Sequence, residues 1–176
     1  MHPDVKEILF SLEDIQKKTA ELGAQITKDY TGKPLILVGL LKGATPFYAS
    51  LAQCIELDLE MDFMSVSSYT GTQSGELNIK MDISQDVTGK NILLVEDIID
   101  TGKTLKNVKN LLLSRGAKSV KIVALLDKSE ARTEDIQADY FGFIMPNAFA
   151  VGFGLDYNEK YRNLPYIGVL KEECYQ

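Results

Sequence analysis

The stretch Leu93–Leu105, LLVEDIIDTGKTL, decides how the rest of the chain is read. The apolar run Ile92 to Val95 has the composition of a buried strand, yet it leads directly into Glu96, Asp97 and Asp100 and then into the turn Thr101-Gly102-Lys103-Thr104. Beyond the turn, Leu105, Val108, Leu111 and Leu112 fall on one face of a helix that Gly116 stops. The segment therefore reads as strand, turn, helix. At such a turn the backbone N–H groups and the positive end of the helix attract an anion. Gly102 lets the backbone approach a ligand closely, and the hydroxyls of Thr101 and Thr104 add donors. One acid would cap the helix; three exceed what a cap requires.

The same alternation extends in both directions. PLILVGLL (34–41) reads as a buried strand, followed by the helix ATPFYASLAQCI with Thr45 as N-cap and Pro46 at the first helical position. A strand near LEMDFMSV (59–66) precedes the polar, Gly-rich stretch SSYTGTQSGELN (67–78), which has the composition of a mobile loop. SVKIVALLD (119–127) and ADYFGFIM (138–145) are further strands, and PYIGVL is a shorter piece of the tail. Upstream, Val5, Ile8, Leu9, Leu12, Ile15 and Leu22 fall at helical spacing and predict a first helix ahead of the first strand. Continuous apolar strands alternating with helices predict an α/β fold, a central and mainly parallel twisted sheet with helices on both faces, in a single domain over 1–176. In open sheets of this kind the ligand sits beyond the carboxyl ends of the strands. LKGAT, EDIIDTGKT and LDKSEAR each follow a strand, so they are expected to form one composite site.

Composition narrows the possibilities. Hydrophobic content of 45% and charged content of 25% are those of a globular protein, and a net charge of −6 argues against a broad nucleic-acid-binding face. The longest apolar stretch has eight residues, whereas a membrane helix needs about 20, so no membrane association is expected. The opening MHPDVKEILFSLEDI carries acids and lacks the pattern of a signal peptide. Cys54 and Cys174, without metal-type spacing, read as two reduced thiols in a cytoplasmic protein. The single histidine, His2, is expected to be disordered, which leaves histidine chemistry out.

A nucleotide-binding P-loop is the obvious rival for GKT, but that motif requires glycine at position 97, where this chain has Asp97. Acids beside a phosphate cradle suit a ligand that also carries hydroxyls and a metal. Carboxylates accept hydrogen bonds from a ribose diol, and Mg²⁺ takes oxygen ligands while binding substrate phosphates. A phosphorylated sugar diphosphate carries all of these groups. LLVEDIIDTGKT resembles the phosphoribosyl-diphosphate signature of type I phosphoribosyltransferases: four hydrophobics, two acids, two hydrophobics, then Asp-Thr-Gly. The similarity, strongest to the hypoxanthine-guanine branch, also covers LKGA, SSY, LLDK with Arg132, and VGFGLDYNEKYRNLPYIGVL, and so spans nearly the whole chain.

The resemblance implies the type I fold with a small hood and a flexible closing loop. It implies that Glu96 and Asp97 hold the ribose hydroxyls, that Asp100 is the general base near N7 of a purine, and that Thr101, Gly102, Lys103 and Thr104 cradle the 5′-phosphate. Lys42 and Gly43 match a diphosphate-binding loop whose Lys-Gly peptide is often cis in the family, which leaves the Lys42–Gly43 geometry open, and Ser68 and Tyr69 match the closing loop. Lys128 matches the residue facing a 6-oxo group, Phe149 the aromatic under the base, Ala150 and Asp156 part of the purine end, and Arg162 a diphosphate contact. Glu96, Asp97 and Asp156 are the implied Mg²⁺ ligands. Each has a plainer rival: Lys128 and Arg132 as solvated charges, Phe149 as core, Asp156 as a turn cap, Arg162 as surface. The implied substrates are phosphoribosyl diphosphate and 6-oxopurines, with Mg²⁺ as cofactor and a homodimer or homotetramer as the assembly. Ala44, Asn147 and Ala150 depart from the family pattern, which leaves the choice among hypoxanthine, guanine and xanthine open. Two alternatives stand beside this one: a phosphoribosyl-diphosphate-sensing, nucleic-acid-binding regulator, and an orotate or adenine transferase. The acidic balance argues against the first, and neither orotate nor adenine accounts for Lys128 with LDYNEKYR.

Overall fold

The computed structural model describes residues 1–68 and 77–175. Its main sheet contains β2 (Leu35–Leu40), β3 (Glu60–Ser68), β4 (Leu77–Met81), β5 (Asn91–Ile99), β6 (Ser119–Asp127) and β7 (Tyr140–Ile144), in the order β4-β3-β2-β5-β6-β7. All neighbours are parallel except β3 and β4. Along β2 and β5, side chains alternate between two buried clusters, and this explains why both strands are apolar throughout. Leu35, Leu37, Leu93 and Val95 meet α1 (Leu12–Tyr30) and α2 (Thr45–Cys54) on one face. Ile36, Val38, Ile92 and Leu94 meet Leu105, Val108 and Leu112 of α3 (Lys103–Ser114) on the other. No helix among the described residues is long and apolar enough to cross a membrane.

A second, three-stranded antiparallel sheet forms the hood, in the order β1-β9-β8: β1 (Val5–Phe10), β9 (Ile167–Leu170) and β8 (Ala150–Val151). Val5 to Phe10 was expected to be helix and is strand. Its partner supplies the reason: Val5 lies opposite Leu170 and Ile8 opposite Gly168, and the helix begins only where Ser11 caps it. Ser11 Oγ accepts from the Asp14 amide at 3.1 Å and the Asp14 carboxylate accepts from the Ser11 amide at 3.0 Å, a reciprocal cap that separates strand from helix.

Three further expectations are corrected. Thr45 is the first helical residue, with Ala44 at the cap; the Thr45 hydroxyl donates back to the Lys42 carbonyl at 2.6 Å. The ends of the stretch 67–78 are ordered ladder, with Ser67 opposite Asn78 and Ser68 opposite Leu77. His2 is half-buried and tied down: its amide donates to the Tyr166 hydroxyl at 2.7 Å and its ring meets Tyr161 edge-on.

Candidate active site

β5 does not stop before the acids. It stays paired with β6 through Ile99, so Glu96 and Asp97 lie inside a strand rather than in the loop after it. Asp97 is buried, and Glu96 keeps one edge open to a cavity of about 220 Å³ that Asp100, Gly102 and Thr104 also line. Burial, then the adjacent Asp97 charge, pushes the Glu96 carboxyl well above the usual carboxylate range. Burial also raises Asp97, although the hydrogen bond with Glu96, the Ile98 amide at 2.7 Å and the charge of Arg162 work the other way. The pair is crowded with negative charge that its own surroundings do not offset.

Asp97 also decides the glycine opposite it. A Cβ at Gly43 would sit 1.8 Å from Asp97 Oδ2, and a Cβ at Gly154 would sit 1.9 Å from the Gly43 carbonyl oxygen. Carboxylate, peptide and hood backbone are thus stacked with no space for a methyl group between them. Gly102 is constrained in the same way: it has φ +81, and a Cβ there would meet Ile136 Cγ2 at 2.4 Å. The close approach at Gly102 is to the protein itself, over which the turn is folded.

The turn is anchored by Arg132. Its Nε donates to the Asp100 carbonyl at 2.7 Å, its guanidinium also reaches the carbonyls of Ile136 (2.6 Å) and Ile99 (3.2 Å), and it pairs with the Asp127 carboxylate. The Asp100 carboxylate accepts from the Thr101 amide at 2.6 Å, so one amide of the turn is already engaged by Asp100. Lys128 arrives on the same rim. Its amide donates to the Ile99 carbonyl at 2.9 Å, beside Asp100, and the residue lines a larger cavity of about 930 Å³ together with Phe149 and Ala148.

From the hood, Arg162 donates to the Gly154 carbonyl at 2.7 Å and pairs with Asp156 at 2.9 Å. Glu159, which the sequence did not single out, bridges Lys42 at 2.9 Å and Arg162 at 3.5 Å. Phe153, Asn158, Glu159 and Tyr161, all non-glycine, take left-handed backbone conformations with φ between 47° and 74°. That concentration in one loop is a mark of a built site, and only Asn158 hints at it in the sequence.

The chain's likeness to known proteins agrees with this geometry. A model of the phosphoribosyl transferase domain matches residues 7–158, and the hypoxanthine-guanine phosphoribosyltransferase of Streptococcus pneumoniae is 58% identical over 174 residues, covering 98% of this chain and 97% of that protein. The chain belongs to the hypoxanthine-guanine phosphoribosyltransferase family. The family protein of Streptococcus thermophilus is 55% identical over 177 residues, covering 99% of this chain and 98% of that one. A crystal structure of a hypoxanthine phosphoribosyltransferase from Staphylococcus aureus matches with a TM-score of 0.96 at 53% identity, covering 100% of this chain and 97% of that one. Membership makes the chain a glycosyl-transferring enzyme with the type I fold.

Set against the residues the family pattern implied, the rim of the main sheet brings together Lys42, Gly43, Glu96, Asp97, Asp100, Thr101 to Thr104 and Lys128. Phe149, Ala150, Asp156 and Arg162 come from the hood, which docks on the rim through Gly154 and Glu159. Among the described residues no three carboxylate, histidine or cysteine groups gather into a metal cluster, and the Asp156 carboxylate is paired with Arg162 at 2.9 Å. The cis peptide precedes Lys42 rather than following it: it is Leu41–Lys42. Ser68 ends β3, and Tyr69 with the rest of the expected closing loop, 69–76, lies outside the described residues.

Proposed function

We propose that the chain transfers the 5-phosphoribosyl group of phosphoribosyl diphosphate to N9 of hypoxanthine or guanine, giving the nucleoside monophosphate and diphosphate. The supporting observation is the Lys128 amide bonded to the Ile99 carbonyl, which puts Lys128, the residue proposed to face a 6-oxo group, on the rim that also holds Glu96, Asp97, Asp100 and the turn at 101–104. As the bond from ribose C1 to the diphosphate oxygen breaks and the bond to N9 forms, Asp100 takes the proton of N7. Thr101's amide, engaging one carboxylate oxygen, orients Asp100 for that task. Glu96 and Asp97 accept from the ribose hydroxyls. The first turn of α3 faces the 5′-phosphate, Phe149 stacks on the base, and Lys42 and Arg162 exchange Glu159 for the departing diphosphate.

Mg²⁺ fits the donor set. Glu96 and Asp97 are hard oxygen ligands, and desolvation raising both carboxyls is the condition a nearby cation relieves. These two residues would hold one ion. Asp156 would have to release Arg162 to serve a second. When bound, the ion offsets the charge gathering on the leaving diphosphate.

The test is direct. The protein is incubated with phosphoribosyl diphosphate, Mg²⁺ and each of hypoxanthine, guanine, xanthine and adenine, and nucleotide and diphosphate are followed. The 6-oxopurines are expected to react, and adenine, which presents an amino donor to Lys128, to be rejected by about 10⁴–10⁵. Comparable turnover of adenine removes Lys128 from the base; absence of nucleotide with every base removes the transferase.

A further inference from the structure

We infer that Tyr175 is a positioning residue for the purine end of the site, acting through Phe149; the inference rests on the function proposed above. The two rings lie parallel, with centroids 4.8 Å apart and an interplanar angle of 19°. Tyr157 stands edge-on to Phe149 at 5.6 Å and 86°, closing the corner. Tyr175 is itself held: its ring packs on the cluster of Val5, Val151 and Leu170, and its amide donates to the Glu172 carbonyl at 3.1 Å. The same segment also fixes the Phe149 backbone, because the Leu170 amide donates to the Phe149 carbonyl at 2.8 Å. Main chain and ring of Phe149 are therefore both gripped by the last strand and the turn after it.

This matters because Phe149 is otherwise poorly constrained. It is 40% exposed, lies just ahead of the two-residue β8, and shares its cavity with Lys128 and Tyr175. A half-exposed ring retains rotamer freedom, and a base that stacks on it must quench that freedom on binding. Tyr175 quenches it beforehand on one face and leaves the other to the base. The parallel stack uses the geometry aromatic pairs favour, so its loss should weaken base binding about 3- to 10-fold.

Steady-state constants for hypoxanthine and for phosphoribosyl diphosphate should be measured for the wild type and for Tyr175→Ala, Tyr175→Leu and Tyr175→Phe, with thermal midpoints alongside. Tyr175→Ala is expected to raise the KM for hypoxanthine about 3- to 10-fold, with kcat and the KM for phosphoribosyl diphosphate within about twofold. Tyr175→Phe is expected to keep the wild-type value. Tyr175→Leu retains apolar packing on Val5 and Leu170 but has no ring, and should match the alanine variant even if that variant folds poorly. An unchanged or lowered KM for hypoxanthine in the alanine and leucine variants overturns the inference, a lowered value meaning that the ring occupies the place of the base. So does a Tyr175→Phe variant as impaired as Tyr175→Ala. A wild type that forms no nucleotide defeats the proposed function instead, which the variants alone cannot do.

Discussion

Asp100 and Gly43 show how much single positions are asked to carry. Asp100 is exposed at the rim with one carboxylate oxygen bound by the Thr101 amide, so replacing it by asparagine keeps the shape of the turn while removing the base. Asp100→Asn is expected to lower kcat by about 10²–10⁴ while calorimetry still detects binding of phosphoribosyl diphosphate; unchanged turnover excludes Asp100 as the base. Gly43 has no catalytic atom of its own, yet a methyl group there falls on Asp97 Oδ2 on one side, and on the other its carbonyl lies against Gly154. Gly43→Ala must therefore move the carboxylate, the peptide or the hood. The expected result is a loss of about 1–3 kcal/mol in denaturant titration, typical of overpacking, together with weakened binding of phosphoribosyl diphosphate. A variant with native stability and affinity shows that the contact yields freely.

At the scale of elements, the strand-to-helix unit β5–α3 is positioned as much by the segment after β6 as by its own sequence. Arg132 stitches the carbonyls of Ile99 and Asp100 to Asp127 at the end of β6, and both partners of its ion pair are largely shielded from solvent. Replacing Arg132 by methionine keeps the bulk but strands the Asp127 carboxylate. Breaking such a pair costs about 3–5 kcal/mol, and the freed turn should also lower kcat. Urea unfolding read beside turnover separates the two effects; a midpoint equal to wild type excludes Arg132 as the anchor. At β1 the outcome is decided from further away. Val5, Ile8 and Leu9 satisfy a helical period, but strand β9, some 160 residues away, offers them a ladder, and the Ser11–Asp14 cap starts the helix after them. Local periodicity loses to a distant partner here because six residues make too short a helix to stand alone.

For the molecule as a whole, the core contains tyrosines that set an upper limit of pH for stability. Burial pushes the phenols of Tyr30 and Tyr48 from the ordinary 10 up to about 12; the Tyr48 hydroxyl donates to the Leu37 carbonyl, and the Tyr30 hydroxyl has no partner among the described residues. The folded-state values lie above the unfolded one, so the unfolded chain gives up these protons first as the solution becomes alkaline. Their contribution is intact below about pH 10 and is lost as pH rises through about 12. Denaturant midpoints measured across that window should fall, and Tyr48→Phe should flatten the fall while costing about 1 kcal/mol at neutral pH for the lost hydrogen bond. A midpoint independent of pH to 12 shows that these hydroxyls ionise without unfolding.

The apolar runs, the punctuating glycines and the order strand, turn, helix were enough to specify the parallel sheet, its covering helices and the rim on which the acids and Lys128 meet. Those features follow from short-range periodicity and from the chirality of strand–helix–strand connections, both of which are written locally. The hood strand at Val5–Phe10, the bridge from Glu159 to Lys42, the Gly43–Asp97 stack and the Tyr175–Phe149 pair had no local signature. Each joins residues tens of positions or more apart in the chain, and each exists because two surfaces pack within van der Waals distance; contact of that kind is a property of the folded volume and leaves no period for a linear reading to detect.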